Sequence, residues 1–268
     1  SSFCYRAFYG IRELTTSKGQ PTNAVYGVVM MLKKLIDEAK PDYLGVAFDL
    51  GKPTFRHKQF AAYKESRKPM PEPLVSQMPW IRQVIDGFRI PVFEREGFEA
   101  DDILGTLAVK GSAAGLDVYL VTSDKDVLQL VGPHVKVYRP TREGYEVIDD
   151  GFLEEKWKLK PDQVVDVMAL MGDDIDDIPG VPGIGEKTAV ELIQKFGSVE
   201  KLMKNVQTVP GAARQEALKK NADQLALSRQ LAVLDTDVPV QVDWEKLKVG
   251  EPDREVLYTI FKTLEFRA

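Results

Sequence analysis

The sequence predicts an α/β protein with a mainly parallel central sheet flanked by helices. Short apolar runs that read as buried strands, over residues 43–48 and 117–122, alternate with segments of helical period. Asp49 follows the first of these runs and Asp124 follows the second. Because ligands in such folds collect at the carboxyl ends of the strands, this edge of the sheet is expected to carry the functional site.

Each element is predicted from a hydrophobic period and from the residues that interrupt it. Apolar residues recur with helical spacing over residues 24–39, and Pro41 ends that pattern. Residues 99–114 begin with acids, which favour a helix N-terminus. In order, the predicted elements are helix 24–39, strand 43–48, an irregular or loosely helical basic stretch 53–70, helix 74–88, helix 99–114, strand 117–122, short helix 124–130, and a hairpin of strands 135–138 and 145–148.

The character of the chain changes near residue 160. Strand signals nearly vanish beyond that point, and helical patterns dominate. The sequence therefore predicts an α/β domain over residues 1–160 and a helical domain over residues 161–268. The helices expected in the second domain are 161–171, 185–196, 198–204, 212–234 and 253–264.

Composition excludes several classes of protein. The single cysteine, Cys4, excludes an internal disulfide and a cysteine-rich zinc site, and no run of 18 apolar residues predicts a membrane span. The net charge of −5 argues mildly against a nucleic-acid-binding protein. The charge is nevertheless unevenly distributed, because six basic residues and one acid lie within residues 52–68. A basic strip beside acidic clusters suits a polyanion held over metal ions.

Carboxylates form four short clusters at predicted strand and helix edges. Like charges packed closely repel one another unless a cation neutralises them, and divalent cations with oxygen ligands commonly do so. Two such cations catalyse in-line phosphodiester hydrolysis in many sites. Helix capping is the structural alternative for each cluster taken alone. The clusters are Asp49; Glu99, Asp101 and Asp102; Asp124 and Asp126; and Asp173, Asp174, Asp176 and Asp177.

Residues 178–188 form a glycine-rich turn that opens a predicted helix. Glu186 stands before Lys187, so the segment lacks the spacing of a nucleotide phosphate-binding loop. Exposed amides at a helix start bind phosphate, which favours a helix-hairpin-helix contact to the DNA backbone over a ligand-free turn. A side chain at Gly185 is expected to block that contact and to strain a residue that needs a positive φ.

The aromatic and histidine residues leave two interpretations open. Phe55, Phe60 and Tyr63 interleave with basic residues, a pattern that can stack bases or pack an ordinary helix on a core. His57 and His134 are isolated, and no pattern around them indicates a catalytic triad.

Several strings together resemble the flap endonuclease family, which includes the 5′-nuclease domain of bacterial DNA polymerase I. The resemblance implies a PIN-like nuclease core, with an arch over about 52–73 and a helix–three-turn–helix element over about 172–205. The matching strings run in family order over nearly the whole chain, at residues 5–9, 48–49, 54–56, 63–64, 99–102, 123–126, 172–189 and 264–267.

The resemblance also implies a set of site residues. Two divalent ions, Mg²⁺ or Mn²⁺, would be held by carboxylates, and a K⁺ ion would bind at the helix-hairpin-helix turn. The implied metal ligands are Asp49, Glu99, Asp101, Asp102, Asp124, Asp126, Asp173 and Asp176. The implied catalytic cations are Arg6, Arg56, Lys64 and Arg67, and the implied DNA-binding residues are Gly183, Gly185, Lys187 and Thr188.

By the same resemblance, the expected activity is structure-specific cleavage of 5′ flaps, nicked duplexes and RNA primers on DNA. The expected setting is replication and repair in the bacterial cytoplasm, associated with the nucleoid. The chain is expected to be a monomer without membrane contact, in a parent that continues into a polymerase domain.

Two alternatives remain at this point. The family places a strand ending in Asp-Gly before the segment that matches residues 1–6, and that Asp is a metal ligand. A chain without it is expected to be weaker than its parent, or to be a branched-DNA binding module without catalysis. A metal-dependent RNA nuclease on a related sheet is the other alternative, which the helix-hairpin-helix turn disfavours.

Overall fold

The computed structural model describes residues 2–141 and 144–266, and they form two compact units. The first unit combines residues 2–50, Lys68–Arg95 and 239–266, and the second combines Gly51–Arg67 with Glu96–Val238. Each unit is assembled from segments that are distant in sequence, and the predicted boundary near residue 160 stays a prediction. No helix in the described ranges is long and apolar enough to cross a membrane.

The described elements are mostly helical. The strands are β1 (Val46–Ala47), β2 (Val92–Phe93), β3 (Val118–Leu120), β4 (Val135–Pro140) and β5 (Tyr145–Ile148). The helices are α1 (Ser2–Gly10), α2 (Asn23–Ala39), α3 (Phe55–Gln59), α4 (Glu72–Val75), α5 (Met78–Gly87), α6 (Ala100–Ala113), α7 (Asp150–Trp157), α8 (Val164–Met171), α9 (Glu186–Phe196), α10 (Val199–Lys204), α11 (Ala212–Lys220), α12 (Ala222–Ala232), α13 (Trp244–Leu247) and α14 (Arg254–Thr263).

The first unit packs helices around the short parallel pair β1–β2, in which Val46 lies opposite Val92. Its core contains residues from α1, α2, α5 and α14. Gln77 is fully buried, and its Oε1 accepts hydrogen bonds from the amides of Ala24 and Val25. These bonds satisfy amides at the start of α2, which has no side-chain cap of its own.

The second unit contains a three-stranded sheet with β4 in its centre. β3 pairs with β4 in parallel and β4 pairs with β5 antiparallel. The inner face of the sheet supplies Leu120, Val137 and Ile148 to a buried core. A separate core joins α8 to α9, α10 and α12, and it positions the glycine-rich turn between α8 and α9.

The predicted elements largely coincide with the described ones, with several differences at their ends. The predicted helix over 74–88 is interrupted between α4 and α5, and the predicted helix over 212–234 is interrupted at Asn221 between α11 and α12. Residues 126–130 form a 3-10 helix. The basic stretch contains α3, followed by turns over residues 61–66. Arg142 and Glu143 of the predicted hairpin lie outside the described residues, as does Arg267.

Candidate active site

The first predicted cluster, Glu99 to Asp102, begins α6 with a reciprocal capping arrangement. The Glu99 side chain accepts the Asp102 amide, and the amide of Glu99 donates to Asp102 Oδ2 at 3.0 Å. Helix capping, which is the structural alternative to a metal site, therefore explains part of this cluster. The buried position of both carboxylates, 8% and 0% exposed, requires further partners.

Arg56 supplies the main partner of Asp102. Its two terminal nitrogens donate to Asp102 Oδ1 and Oδ2, each at 2.8 Å. A longer contact of 3.4 Å links Arg56 to Glu99. Although burial opposes a charged guanidinium, Asp102 and Glu99 raise the pKa of Arg56 above its usual range. Arg56 is consequently charged at neutral pH.

The remaining donors of Arg56 bind backbone. Its Nε donates to the carbonyl of Leu231 and a terminal nitrogen donates to that of Val233, each at 2.8 Å. The side chain is only 1% exposed. Arg56 was predicted as a catalytic cation on the arch; here it faces the protein interior and connects the segment containing α3 to the start of α6 and the end of α12.

Lys64 and Tyr63 bridge two of the predicted clusters. Lys64 Nζ lies 2.8 Å from Glu99 Oε1 and 3.3 Å from Asp176 Oδ2. Burial favours a neutral amine, but the two carboxylates raise the pKa of Lys64. The Tyr63 hydroxyl lies 3.1 Å from Glu99 and 3.3 Å from Asp176. Burial, followed by these acids, raises the pKa of Tyr63, so the hydroxyl remains a donor.

Tyr63 is buried and is accordingly not available to stack bases. Tyr63 is 3% exposed and packs with Phe60, Ile178 and Leu231. Phe55 lies against Phe98, with ring centroids 5.9 Å apart. Of the two interpretations of this basic and aromatic stretch, core packing is the one that applies to these residues.

The turn after α8 presents the last carboxylate cluster. Asp173 and Ile178 exchange backbone hydrogen bonds, which closes the turn. Asp173 Oδ1 accepts the amides of Ile175 and Asp176, at 2.7 and 3.2 Å. Asp177 adopts a positive φ of 53°, and its side chain accepts the Ser66 amide at 2.8 Å. The turn therefore contacts the segment that carries Lys64.

Asp126 lies among carboxylates from all three clusters of the second unit. Its burial, and then Asp124, Asp101, Asp176 and Asp173, raise the pKa of Asp126 to about 9. Asp124 and Asp126 follow β3, as the sequence predicted, and Asp124 Oδ1 accepts the Asp126 amide at 3.1 Å. Five predicted ligands therefore lie near enough to one another to interact by charge.

An oxygen-only donor set of this kind fits a hard divalent cation. The raised pKa of Asp126, caused by its burial and by the neighbouring carboxylates, is the observation that supports such an ion. Among the residues described, no three Asp, Glu, His or Cys side chains already converge as the ligands of one ion. Asp102 differs from the other predicted ligands, because its two oxygens accept bonds from Arg56 and from the amides of Glu99 and Asp235.

The glycine-rich turn between α8 and α9 has the exposed N-terminus that the sequence predicted. Val181 and Ile184 anchor the turn in the core, whereas Gly183, Gly185 and Lys187 are exposed. Thr188 is half-buried in the first turn of α9. The free amides at the start of this helix face away from the core and can accept an anion.

Positive φ occurs at Gly183 rather than at Gly185, which corrects the expectation for this turn. Gly183 has φ +80°, whereas Gly185 has φ −93° and an extended conformation open to any residue. A Cβ at Gly185 would meet nothing within 4 Å. A side chain at Gly185 would therefore affect an approaching ligand and not the fold.

The three other predicted site residues are Asp49, Arg6 and Arg67. Asp49 follows β1 and Arg6 lies in α1, both in the first unit. Arg67 is exposed in the second unit, beyond the turns that hold Lys64. Sequence reasoning missed the hydroxyl of Tyr63 and the amide of Asp235 as partners of the acidic clusters. Neither has a local sequence signal, because both act across long separations in the chain.

Comparison with known proteins matches this arrangement to a single family. Residues 1–158 match the model of the 5′-3′ exonuclease N-terminal resolvase-like domain, and residues 159–255 match the 5′-3′ exonuclease C-terminal SAM fold. The DNA polymerase I of Bacillus caldotenax is 42% identical over all of this chain. The chain spans 31% of the length of that relative.

Solved structures show the same fold. T5 5′-exonuclease with bound divalent zinc ions has a TM-score of 0.69 and 22% identity, over 98% of this chain and 95% of the T5 chain. The catalytic core of Rad2 in complex with a DNA substrate has a TM-score of 0.64 and 16% identity, over 96% of this chain and 84% of the other. The predicted α/β class is confirmed, and the two family models together show that this chain belongs to the 5′-3′ exonuclease family of nucleases.

Proposed function

We propose that this chain is a structure-specific 5′-nuclease that hydrolyses phosphodiesters in 5′ flaps, nicked duplexes and RNA primers on DNA. The observation that supports this most is the gathering of carboxylates around Asp126, whose pKa is raised to about 9. Carboxylates gathered this closely repel one another when ionised, and a bound cation would relieve that repulsion.

Divalent cations, Mg²⁺ or Mn²⁺, are the proposed cofactors, two per site. Asp101, Asp124, Asp126, Asp173 and Asp176 would hold them, with Glu99 released from Lys64. When bound, the ions would supply Lewis-acid activation of the nucleophile and stabilisation of the leaving oxygen. Asp102 is proposed to orient Glu99 through their shared hydrogen bond, rather than to ligate an ion.

The chain's own cations are proposed to position the scissile phosphate. Lys64 lies among the acids and pairs with Glu99 and Asp176. Its ammonium can exchange these partners for a phosphate oxygen of the substrate. Arg67 is exposed one turn further along and carries no ion pair in the described part of the chain. Arg56 contributes by fixing the position of the segment that carries both.

The α8–α9 turn is proposed to bind the duplex backbone without reading sequence. Amides at Gly183 and Gly185 would face phosphate oxygens, with Lys187 and Thr188 alongside and a K⁺ ion at the turn. Such contacts are electrostatic and independent of base identity.

The parent protein is proposed to continue into a polymerase domain and to act as a monomer in the bacterial cytoplasm, near the nucleoid. Its proposed partners are the flap and primer substrates themselves. The relatives named as DNA polymerase I, of which this chain spans about a third, support that assignment.

The test is single-turnover cleavage of a labelled 5′-flap DNA by the full chain and by Asp126→Asn. Cleavage should require Mg²⁺ or Mn²⁺ and should fall by at least about a hundredfold in the variant. Asp223→Asn is the matched control, because Asp223 is an exposed aspartate on α12. Full activity in EDTA, or equal rates for Asp126→Asn and Asp223→Asn, would contradict the proposal.

A further inference from the structure

The outer face of the β3–β4–β5 sheet carries three tyrosines. Residues opposite each other across the sheet share a face, so the register of Tyr119 with Lys136, of Tyr138 with Val147 and of Pro140 with Tyr145 places these side chains together. The opposite face supplies Leu120, Val137 and Ile148 to the core. The tyrosines therefore lie on the side of the sheet that faces away from this core.

The tyrosine rings form a continuous aromatic surface. Tyr138 and Tyr145 stack with centroids 4.3 Å apart and an angle of 8° between their planes. Tyr119 meets Tyr138 edge to face at 6.2 Å. Tyr119 is 49% exposed and Val147 is 43% exposed. Three aromatic side chains are thus held in fixed orientations on a face that is open to solvent.

The charge of this surface favours an anionic partner. Lys136 is the charged residue at the outward positions of the three strands, and it forms no ion pair within residues 2–141 and 144–266. Arg139 and Glu146 lie on the opposite face and pair with each other at 2.6 Å. The outward positions of the three strands therefore carry one positive charge and no negative charge, in a chain whose net charge is −5.

The sheet also connects this surface to the carboxylate site. Tyr119 lies in β3, and Asp124 follows five residues later. Five residues span at most about 18 Å even when fully extended. Stacked nucleotides rise about 3.4 Å each along a strand. A strand engaged at Asp124 could therefore reach Tyr119, at the near end of the tyrosines, with about five nucleotides.

We propose that the outer face of the β3–β4–β5 sheet, formed by Tyr119, Lys136, Tyr138 and Tyr145, binds single-stranded nucleic acid by stacking its unpaired bases. Aromatic faces accept every base, so this binding is tolerant of sequence. Lys136 contacts the backbone phosphate. The inference rests on the proposed function, because it takes the bound strand to be the one that enters the carboxylate site.

The main experiment measures binding of a labelled thymidine oligonucleotide of about twelve nucleotides, in EDTA so that no strand is cut. The double substitution Tyr138→Ser and Tyr145→Ser should weaken binding about tenfold. The double substitution to Phe keeps the stacking surface and should bind within about twofold of the parent. Tyr258→Ser is the matched control, because Tyr258 is 67% exposed on α14, in the other unit.

An abasic strand of equal length separates stacking from charge. It keeps the phosphates and lacks the bases, so the serine substitutions should leave its affinity unchanged. Lys136→Gln should weaken the binding of both strands. It should also reduce the slope of log affinity against log salt concentration by about one. Equal binding of the thymidine strand by the serine variant and the parent would overturn the proposal. So would an equal loss of affinity for the abasic strand.

Crosslinking tests the unaltered protein, and this covers the case in which the serine variant does not fold. A strand with 5-iodouracil should crosslink to Tyr119, Tyr138 or Tyr145, whereas crosslinks confined to other residues would overturn the proposal. A change in oligomer size with no change in strand affinity would instead identify the face as a protein contact.

The two proposals fail separately. If flap cleavage is intact and strand binding does not depend on the tyrosines, only the proposal of a stacking surface is contradicted. If strand binding depends on the tyrosines but no metal-dependent cleavage is found, only the proposed nuclease activity is contradicted.

Discussion

The two carboxylate oxygens of Asp102 and the two terminal nitrogens of Arg56 form a bidentate pair, with both hydrogen bonds at 2.8 Å. Asp102 is fully buried and Arg56 is 1% exposed. Every N–H of the guanidinium has an acceptor, because the backbone carbonyls of Leu231 and Val233 and the Glu99 carboxylate take the others. An arginine held in this way organises the protein interior.

Arg56→Ala should lower the free energy of unfolding by about 3–5 kcal/mol, because Asp102 would remain buried without its counter-ion. Urea denaturation measures this value. Arg67→Ala, at an exposed position, should change stability by less than about 0.5 kcal/mol while it slows cleavage. Near-parent stability of Arg56→Ala, combined with weak substrate binding, would instead place Arg56 at the DNA.

Lys64→Met should have opposite effects on cation binding and on cleavage. The ammonium neutralises Glu99 and Asp176 at 2.8 and 3.3 Å, so its loss should strengthen Mn²⁺ binding by about tenfold or more. Single-turnover cleavage should fall about ten- to a hundredfold, because a charge-assisted phosphate contact is lost. Calorimetry with Mn²⁺ and quench-flow cleavage measure the two effects.

Lys58→Met is the control for that substitution, because Lys58 is an exposed lysine of α3. It should leave Mn²⁺ affinity within about twofold of the parent. A cleavage rate for Lys64→Met within about twofold of the parent would argue against any role of this ammonium at the phosphate.

The metal-free protein should lose stability as the pH rises from about 4 to about 9. Burial, together with Asp124, Asp101, Asp176 and Asp173, raises the pKa of Asp126 to about 9, whereas an unfolded aspartate titrates near 4. Between these values the folded state binds the additional proton, so its stability is greatest at low pH and declines upward. Asp126→Asn should flatten this profile and be at least about 1 kcal/mol more stable than the parent at pH 8.

Urea denaturation in EDTA at pH 5 and pH 8 tests this pH dependence. Mg²⁺ should stabilise the parent more than Asp126→Asn at pH 8, since the ion replaces the lost proton. Superimposable profiles for Asp126→Asn and the parent would show that Asp126 titrates normally.

Gly185→Val should weaken duplex binding with little loss of stability. The extended conformation at Gly185 tolerates a side chain, and nothing lies within 4 Å of its Cβ position. Gly183→Val should cost about 1–2 kcal/mol of stability in addition, because φ is +80° there. Affinity in Ca²⁺ and thermal denaturation separate the two variants. Normal duplex binding by Gly185→Val would remove this turn from the DNA interface.

The placement of acids at a strand end and at a helix start in the second unit was predictable from sequence. Asp124 follows β3 and Glu99 begins α6, as their local patterns indicated. The start and end of α9 were likewise predictable to within one residue, because Gly185 and Gly197 flank it. In these places the local sequence determines the backbone.

The role of Arg56 was not predictable, because its partners are distant in sequence. The carbonyl of Leu231 that it binds lies 175 residues away. Its position in a basic stretch predicted an exposed cation. In the structure Arg56 is buried because it pairs with Asp102. Helix α1 was not predicted either, although Cys4 and Ala7 have the spacing of a buried helical face. The assignments of Asp49 and Arg6 to the site remain predictions.

Gly172 and Gly180 cross with their backbones in direct contact, and no side chain separates them. A Cβ at Gly172 would lie 2.6 Å from the carbonyl of Ile178 and against the backbone of Gly180. Asp173 follows Gly172, and the α8–α9 turn follows Gly180. Because two main chains in direct contact have no side chain between them, a displacement of one cannot be accommodated by a change of rotamer. If a DNA backbone bound as proposed and displaced the turn, the carboxylate of Asp173 would therefore move with it. Duplex binding would in that way change the geometry of the acidic site.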